Sequence, residues 1–466
     1  MTVTAAATKR LEVVVYDAAG LGDRSYLLHD GEEAFVVDPQ RDPGPYLETA
    51  ARRGVDITLV LETHVHNDYV SGGLALARRT GATYGVPAGV HFGFSAKARA
   101  LEEGDLISVG ELQVRVLSTP GHTPHHLSFL AKAPSGDSVV LTGGSLLPGA
   151  TGRTDLFGPE RAVSLAEAQW RSVRRLLREL APGTKVLPTH GFGSFCAASI
   201  GKAALSDPTI QSEREHNPAA RLDLDRFVAD LLRDPLPVPA YYSYMAPLNR
   251  TGAAEPRYGP LPVTEPSTLA ARMRSGAAVV DLRPRRRFAD AHLRGALNIE
   301  LAVNLPTYFG WLVPFGAPFV VVSPRYEELL EARRLLATIG RELPVGWAQA
   351  DFVRSLPPAQ HGRYEVAGFN QLGRLYAEGE PPRLLDVRFP HEWQRGHVRN
   401  AQNIPLPEVA SVIPTLSPHE ETWVYCAAGY RAAIAASILS AQGLRPVLVD
   451  DVFDNAVGAG LEIVTP

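Results

Sequence analysis

Short apolar, β-branched runs alternate with helical patterns over the first half of the chain. The runs LEVVVYD, AFVVD, ITLVLETH, LQVRVLS, SVVLTGG and KVLPTH are typical of strands. The segment SLAEAQWRSVRRLLREL has apolar residues at three- and four-residue spacing, which indicates an amphipathic helix. Residues 1–240 are therefore predicted to form one large α/β domain.

A proline-rich segment, AYYSYMAPLNRTGAAEPRYGPLP, follows this domain. Proline fixes φ and has no backbone donor, which favours an extended connection over the surface. Residues 241–262 are therefore predicted to be a linker.

The remainder of the chain contains an internal repeat. VVDLRPRRRFADAHLRGALNI at 279–299 aligns without a gap with LLDVRFPHEWQRGHVRNAQNI at 384–404, at a constant offset of 105 residues. In each copy a buried-type strand, PFVVVS or TWVYC, then leads into a helix. The repeat predicts two tandem α/β domains, at residues 263–350 and 363–466.

Composition narrows the function classes without identifying one. The 466 residues carry a formal net charge of −4, with 45% hydrophobic and 21% charged residues, and the mean hydropathy is −0.05. No broad basic surface for nucleic acid is implied, and no segment approaches the roughly 18 to 20 apolar residues of a membrane helix. The start of the chain lacks a targeting pattern, so the expected location is cytoplasmic, without nucleic-acid or membrane partners.

The chain has two cysteines, Cys196 and Cys426, and a structural disulfide between them is not expected. Cys426 ends an apolar strand in VYCAAGYRAAIAASIL and is followed by a short loop and a helix. Backbone N–H groups of the loop, the positive end of the helix and Arg431 all favour a thiolate or a persulfide anion. We therefore expect Cys426 to be nucleophilic, the alternative being a buried structural cysteine.

This stretch resembles the rhodanese family, whose active loop has the pattern Cys-x-x-Gly-x-Arg. The upstream segment LLDVRFPHEWQRGHVRNAQNIPL is similar to the family's Asp-x-Arg and Gly-His elements. The resemblance implies that Cys426 accepts a sulfane sulfur from thiosulfate or a persulfide and transfers it to a thiol. It also implies that the anion is held by the following loop, Ala427, Ala428, Gly429, Tyr430 and Arg431.

The first copy departs from that pattern where the chemistry would occur. VVVSPRYEELLEARRLLATIG places Ser323 at the position of Cys426, Tyr326 at that of Gly429 and Glu328 at that of Arg431. A serine without a base cannot hold a persulfide. Residues 263–350 are therefore predicted to be an inactive copy that serves packing or docking.

Four motifs of the first domain resemble the metallo-β-lactamase superfamily, and within it the persulfide dioxygenases, which are close to glyoxalase II. They are THVHNDYVSGG, STPGHTPHHLSFL, LTGGSLLPGATGRTDL and VLPTHGFGSFC. The resemblance implies an αββα sandwich with a metal site at one edge. In the dioxygenases, one ferrous iron is bound by two histidines and an aspartate, which correspond here to His64, His122 and Gly144. The carboxylate is missing, and Tyr69 replaces a histidine of the second metal site of the hydrolases.

The histidines that remain at this site are His64, His66 and His122, a set that can bind zinc or iron. Asp68 and His190 are expected to belong to a second shell or a second half-site. One Fe(II) or Zn(II), weakly bound or absent, is the expected cofactor, and the alternative is that the histidines hydrogen-bond one another without metal. Gly144→Asp is expected to raise iron occupancy.

Three side chains close to these motifs in the sequence are expected to have minor roles. His125 and His126 are expected to be exposed loop residues. Cys196, which follows the His190 loop, is a secondary candidate for sulfur relay, with a buried packing role as the alternative.

The domain order resembles bacterial fusions of a persulfide dioxygenase with a sulfurtransferase. It implies an α/β enzyme that handles sulfane sulfur, with a low-molecular-weight persulfide or thiosulfate as donor and a thiol or protein as acceptor. The sulfurtransferase part is expected to be intact, whereas iron content and persulfide-dependent oxygen uptake are expected to be low. The alternatives are a sulfur carrier for biosynthesis and a glyoxalase II-like thioester hydrolase. A homo-oligomer is compatible with all three.

Overall fold

The structure is a computed structural model that describes residues 10–94, 98–191, 193–198 and 207–466. The chain divides into two compact units. One unit contains Met1–Arg257 and Leu336–Gly340, and the other contains Tyr258–Leu335 and Arg341–Pro466. No helix among the described residues is long and apolar enough to cross a membrane.

The first unit contains a six-stranded sheet whose strands follow one another in chain order. They are β1 (Glu12–Ala18), β2 (Asp23–His29), β3 (Glu33–Val37), β4 (Asp56–Leu61), β5 (Thr83–Pro87) and β6 (Ala98–Leu101). Strands β1 to β3 pair antiparallel, and β3 to β6 pair parallel.

A second sheet of five strands has the order β13-β10-β9-β8-β7. Its strands are β7 (Leu106–Val109), β8 (Leu112–Ser118), β9 (Leu127–Lys132), β10 (Ser138–Gly143) and β13 (Lys185–Pro188), and the hairpin β11 (Leu146–Leu147) with β12 (Ala150–Thr151) lies between the last two in sequence. Strand β10 pairs parallel with β13.

Helices cover the outer faces of both sheets. They are α1 (Gly44–Arg53), α2 (Gly73–Thr80), α3 (Pro159–Glu179), α4 (Ile210–His216), α5 (Pro218–Arg221), α6 (Leu224–Leu232) and α7 (Tyr242–Thr251). One apolar core lies between the two sheets, a second between the first sheet and α1 and α2, and a third between the second sheet and α3 to α6. This layering confirms the αββα sandwich that the motifs implied.

The segment predicted to be an extended linker is partly helical. Helix α7 occupies Tyr242–Thr251 and contains Pro247. Tyr242 and Met245 are buried on one face of the helix, and burial of that face outweighs the lost hydrogen bond at proline. The expectation of an extended segment over 241–262 is therefore wrong for these ten residues.

The second unit contains two parallel sheets of similar topology. In the first copy the sheet has the order β16-β14-β17-β18, and in the second copy it has the order β20-β25-β24-β21-β23. The strands of the first copy are β14 (Ala278–Asp281), β15 (His292–Leu293), β16 (Leu297–Asn298), β17 (Phe319–Ser323), β18 (Gly346–Gln349) and β19 (His361–Gly362). Those of the second copy are β20 (Glu365–Ala367), β21 (Arg383–Asp386), β22 (His397–Val398), β23 (Gln402–Asn403), β24 (Glu421–Tyr425), β25 (Arg445–Val449) and β26 (Ile463–Val464).

The helices of this unit connect the parallel strands. They are α8 (Pro266–Arg274), α9 (Arg285–Asp290), α10 (Leu305–Leu312), α11 (Tyr326–Ala337), α12 (Phe369–Ala377), α13 (Pro390–Trp393), α14 (Val409–Val412), α15 (Tyr430–Ala441) and α16 (Asn455–Gly458). Short 3-10 helices occupy Ala350–Ser355, Pro358–Gln360, Leu406–Glu408 and Ile413–Thr415.

The internal repeat extends to individual side-chain hydrogen bonds. Arg283 donates to both carboxylate oxygens of Asp281, as Arg388 does to Asp386. The Asn298 amide donates to the carbonyls of residues 281 and 283, and Asn403 donates to those of 386 and 388. The two copies therefore share one local construction, as the gapless alignment indicated.

His292 gives the first copy a testable dependence on pH. Its ring stacks on Phe288, Nδ1 donates to the Phe288 carbonyl, and Nε2 lies 3.2 Å from the Ser440 hydroxyl. Burial lowers the pKa of His292 to about 4. Because this pKa lies below that of the unfolded chain, stability is fully present above the unfolded value of 6.5 and is lost as pH falls toward 4.

We predict that acidification from neutral pH to about pH 5 lowers the free energy of unfolding of the second unit. His292→Gln should reduce this loss by an amount on the order of 2 kcal/mol. Urea unfolding at neutral and acidic pH measures the effect. His419→Gln, at an exposed position of the same unit, is the control. An unchanged pH dependence in His292→Gln would contradict the assignment.

Candidate functional site

Cys426 directly follows β24 and precedes α15, so it lies at the carboxyl end of a central parallel strand. It is buried, with 2% of its surface exposed. The following N–H groups, those of Ala427, Ala428 and Gly429, donate to no other residue that the structure describes. These free donors follow Cys426 directly in the chain, an arrangement that can bind an anion.

The conformation of this loop depends on glycine. Gly429 has a φ of 83°, in the left-handed region, where residues with a side chain are disfavoured. A Cβ at this position would also overlap the Asp450 carboxylate. Gly429 therefore allows the chain to turn from strand to helix beside Asp450.

Arg431 is engaged by a carboxylate. Its guanidinium donates to both Glu392 oxygens at 2.5 and 2.7 Å, and it lies over the Phe389 ring. Burial acts to lower the pKa of Arg431, but the Glu392 carboxylate raises it overall. Arg431 is thus a fixed cation beside the cysteine loop, with its charge partly compensated.

Residues of the first copy contact this loop. Arg285 donates to Asp450 at 2.6 Å, to Glu300 at 2.9 Å and to the Ala428 carbonyl at 3.3 Å. The Tyr430 hydroxyl donates to the Glu300 carbonyl at 2.8 Å. The sequence pointed to packing or docking for this copy but did not identify these contacts.

The aromatic ring of Tyr308, in α10, lies near Cys426 and packs beside Tyr430. Its ring lies 5.6 Å from that of Tyr430, and Trp311 lies 5.5 Å from Phe389. Burial raises the pKa of Tyr308 to about 12, with the charges of Arg431 and Cys426 contributing in opposite directions. In the first copy itself, the Ser323 hydroxyl donates to the Arg325 carbonyl.

The histidines of the first unit converge where three strands end, those numbered β4, β8 and β13. His64 and His66 follow β4, His122 lies between β8 and β9, and His190 follows β13. All four are almost fully buried. The structure groups His64, His122 and His190 with ligand atoms within 4.8 Å of one another, and it also groups His66 with Asp38 and His64 and with Asp68 and His190.

Asp38 connects the loops that carry these histidines. Its backbone has a φ of 52°, and its carboxylate accepts hydrogen bonds from the Thr63 N–H, the Thr63 hydroxyl and the Thr189 hydroxyl. It therefore ties the end of β4 to the end of β13. In the sequence, the only indication of a role for Asp38 is that a charged residue follows the apolar run AFVV.

His66 belongs to an ion-pair cluster. Its Nε2 lies 3.2 Å from Asp38 and 3.3 Å from Glu62. Burial acts to lower the pKa of His66, but the two carboxylates raise it to about 10. The Tyr69 ring packs against that of His66, with centroids 4.4 Å apart and planes tilted by 30°, and its hydroxyl donates to the Asp38 carbonyl.

His122 occupies the space that the missing aspartate would need. A Cβ added at Gly144 would overlap the His122 ring, and one added at Gly152 would approach His122 Nδ1. The family's iron ligand set therefore does not fit this site. The expectation that Gly144→Asp raises iron occupancy is not supported, because an aspartate would displace one of the other ligands.

His126 differs from its sequence expectation, whereas His125 does not. His126 is 1% exposed, and its Nε2 accepts the Gly144 N–H at 3.0 Å while Nδ1 contacts Thr119. The expectation of an exposed His126 is wrong, because the ring completes the hydrogen bonds of a buried loop. His125 is exposed, as expected.

Cys196 is buried beside the histidine cluster. Its thiol donates to the Tyr242 hydroxyl at 3.7 Å. Burial raises the pKa of Cys196 well above its ordinary value, and the charges of Asp68 and Asp23 act in the same direction. A thiol in this state is a weak nucleophile at neutral pH.

Comparisons with known proteins agree with the two-part architecture. Residues 20–190 match the model of the metallo-beta-lactamase superfamily, and residues 370–452 match that of the rhodanese-like domain. Hydroxyacylglutathione hydrolase of Cereibacter sphaeroides is 34% identical over 187 residues, which are 40% of this chain and 67% of the relative.

Two further similarities cover more of the chain. The mitochondrial persulfide dioxygenase ETHE1 of Homo sapiens is 27% identical over 243 residues, which are 50% of this chain and 85% of the relative. The crystal structure of a metallo-beta-lactamase from Staphylococcus aureus subsp. aureus COL is 24% identical, with a TM-score of 0.65, and the match covers 73% of this chain and 99% of that chain. The latter similarity supports the fold alone.

The contact between Gly144 and His122 generates a prediction. We expect Gly144→Ala to destabilise the first unit by about 1 to 3 kcal/mol, because the new methyl group must displace a buried ring. Thermal or urea unfolding measures the loss. Gly183→Ala is the matched control, since a Cβ there meets nothing within 4 Å. Equal stability of the two variants would show that the His122 ring does not occupy this position.

Proposed function

We propose that this chain, which belongs to the metallo-beta-lactamase superfamily and also carries a rhodanese-like domain, is a sulfurtransferase of sulfane-sulfur metabolism. The observation that supports this function best is the loop after β24. There Cys426 is followed by three residues whose N–H groups have no acceptor in the described chain and then by Arg431, whose side chain is 12% exposed and pairs with Glu392. A sulfur-containing donor and acceptor follow from the rhodanese-like domain.

The proposed reaction has two displacement steps. The Cys426 thiolate attacks the outer sulfur of thiosulfate, the S–S bond breaks, and sulfite leaves with the bonding electron pair. Cys426 then carries a persulfide. An acceptor thiolate attacks the terminal sulfur, the Cys426 thiolate is released, and the acceptor becomes the persulfide. The loop N–H groups stabilise the anion at each stage.

In this proposal the first copy is a support for the reactive loop. Arg285 joins Asp450, Glu300 and the Ala428 carbonyl, and Tyr308 closes one side near Arg431. The loss of Cys, Gly and Arg at positions 323, 326 and 328 therefore removes the chemistry of the copy but leaves its supporting contacts.

Similarity to hydroxyacylglutathione hydrolase keeps thioester hydrolysis as a second candidate for the first unit. Similarity to persulfide dioxygenase keeps oxygen-dependent chemistry as a third. Both reactions use ligand positions that are Gly144 or Tyr69 here. We therefore assign the activity to Cys426, and turnover of S-lactoylglutathione or persulfide-dependent oxygen uptake by the Cys426→Ser variant would identify an activity of the first unit.

We predict that Cys426→Ser abolishes transfer of sulfur from thiosulfate and that Cys196→Ser retains most of it. The reason is that Cys426 adjoins the anion-binding loop, whereas burial disfavours the thiolate of Cys196. Steady-state formation of sulfite measures the transfer. Equal loss in both variants would indicate an obligatory relay through two cysteines.

A second prediction concerns Arg285 as a positioning residue. Arg285→Gln should slow sulfur transfer by roughly tenfold or more, mainly in kcat, because the loop loses its contact at Ala428. Arg286→Gln is the matched control, since Arg286 pairs with the same Asp450 but has a side chain 68% exposed. Arg285→Lys should restore part of the rate. If Arg285→Gln and Arg286→Gln slow sulfur transfer to the same small extent, Arg285 is not a positioning residue.

A further inference from the structure

An arc of aromatic rings lies beside the loop that follows Cys426. The rings belong, in order, to Tyr430, Tyr308, Trp311 and Phe389, and neighbouring centroids are 5.6, 6.4 and 5.5 Å apart. The last ring lies under the Arg431 guanidinium, whose central carbon is 5.4 Å from the ring centroid. Because residues 430 and 431 are neighbours in the chain, the arc starts and ends at the same point of the cysteine site.

Tyr308 lies in the middle of this arc, on helix α10 of the inactive copy. Residues 305–310 of the helix are buried, and Tyr308 is 9% exposed. At the offsets of 103 and 105 residues that relate the two copies, α10 corresponds to residues 408–417, which include no tyrosine. The ring is therefore not part of the local construction that the two copies share.

The Tyr308 hydroxyl has no hydrogen-bond partner among the residues that the structure describes. The other tyrosine of the arc differs in this respect, since the Tyr430 hydroxyl donates to the Glu300 carbonyl at 2.8 Å. A hydroxyl group on a buried side chain costs free energy if nothing accepts its proton. A bound molecule that supplies an acceptor removes this cost.

The charges of the cysteine site act on this hydroxyl. Burial raises the pKa of Tyr308 to about 12, while the Arg431 charge acts to lower it and the charges of Cys426 and Glu392 act to raise it. The hydroxyl therefore lies close enough to these groups to interact with an anion bound at the cysteine. Since its pKa is far above neutral pH, the hydroxyl keeps its proton and is available as a donor.

The positive charge of Arg431 is already compensated. Its guanidinium donates to both oxygens of Glu392. Burial acts to raise the pKa of Glu392, but Arg431 lowers it overall, so the carboxylate is ionised at neutral pH. In the described part of the site, the donors not yet committed to an acceptor therefore include the N–H groups of residues 427–429 and the Tyr308 hydroxyl.

These two kinds of donor come from opposite partners. The N–H groups belong to the loop that directly follows Cys426, which suits them to bind the reacting sulfur. The hydroxyl belongs to the other copy and reaches the site from across the loop. A thiosulfate ion has one end of each kind, a terminal sulfur that is transferred and a sulfonate group that leaves.

We propose that Tyr308 is a specificity-determining residue, whose hydroxyl donates a hydrogen bond to a sulfonate oxygen of thiosulfate bound at Cys426. This inference rests on the proposed sulfurtransferase function and specifies how the site recognises one class of sulfur donor. When the S–S bond breaks, the bonding electron pair goes to sulfite, so negative charge grows on the oxygens that the hydroxyl contacts. The tyrosine proton stays on Tyr308 throughout.

An organic persulfide is a sulfur donor without these oxygens. In that reaction the Cys426 thiolate attacks the outer sulfur, the S–S bond breaks, and a thiolate leaves with the bonding electron pair. The hydrogen bond from Tyr308 has no sulfonate acceptor in this case. The hydroxyl should therefore distinguish the two donors, whereas a residue that only supports the loop should affect both.

The test compares the two donors on the full-length protein under anaerobic conditions. Mass spectrometry of quenched samples follows the rate at which Cys426 gains one sulfur atom from thiosulfate or from cysteine persulfide. Tyr308→Phe should lower the rate with thiosulfate by roughly tenfold to a hundredfold and change the rate with cysteine persulfide by less than about twofold. The ratio of the two rates is insensitive to a partial loss of folded protein.

Tyr364→Phe is the matched control. The Tyr364 hydroxyl is also buried and without a partner in the described chain, but its ring packs beside Phe288 and His292 of the first copy. Loss of this hydroxyl should leave both rates unchanged.

A binding measurement without turnover uses sulfate, an unreactive anion that resembles the sulfonate group. Sulfate should protect Cys426 from alkylation. The concentration that gives half protection should rise in Tyr308→Phe by roughly the same factor by which the rate with thiosulfate falls.

Three results would overturn the proposal. If Tyr308→Phe slows both donors equally, the ring supports the loop and does not contact the sulfonate group. If it slows neither donor, water accepts the hydroxyl proton and Tyr308 does not determine specificity. If the wild-type protein gains sulfur from neither donor, the sulfurtransferase function fails together with this inference, a result that is distinct from the other two because it requires no variant.

Discussion

The position of the loop that carries Cys426 depends on the burial of one helix on both of its sides. Helix α15, which begins immediately after the Cys426 loop, has the sequence YRAAIAASILSA, and its first four alanines, Ile434, Ser437 and Leu439 are buried. One side packs on β24 and β25 of its own sheet, and another packs on β16 of the first copy. A helix without a polar face must be covered all round. The first copy supplies that cover, and the Asn298 N–H donates to the Ser437 hydroxyl across it. This constraint explains why a copy without a nucleophile is still needed.

The first unit also lacks a side chain that the family resemblance implies. At position 144 a glycine stands where the family resemblance implies a carboxylate, and the His122 ring fills the space that a side chain would take. His66 meanwhile forms ion pairs with Asp38 and Glu62. His66 and His122 thus differ in their electrostatics, because carboxylates raise the pKa of His66 whereas burial lowers that of His122.

The sequence predicted the parts of the fold that local pattern controls. The apolar runs located β1, β3, β4, β8, β10 and β13, and the gapless repeat located both parallel sheets of the second unit. Strands such as β2, with the sequence DRSYLLH, were not predicted, because their burial comes from the facing sheet rather than from alternation.

The loop of Cys426 was identified because its residues are contiguous. The ring orientations of His66, His126 and His190 could not be predicted, since they depend on Asp38, Glu62, Asp23 and Gly144 from distant segments. The sequence did not indicate a role for Arg285, because two of its three partners, Asp450 and Ala428, lie in the other copy.

If Cys426 carries the transferred sulfur, mass spectrometry of the protein after brief exposure to thiosulfate detects it. Peptide mapping under non-reducing conditions locates any added sulfur. We expect one additional sulfur atom on the peptide that contains Cys426, removed by a small thiol acceptor, with the peptide of Cys196 unmodified. Sulfur found on Cys196 alone, or on neither cysteine of a folded protein, would contradict it.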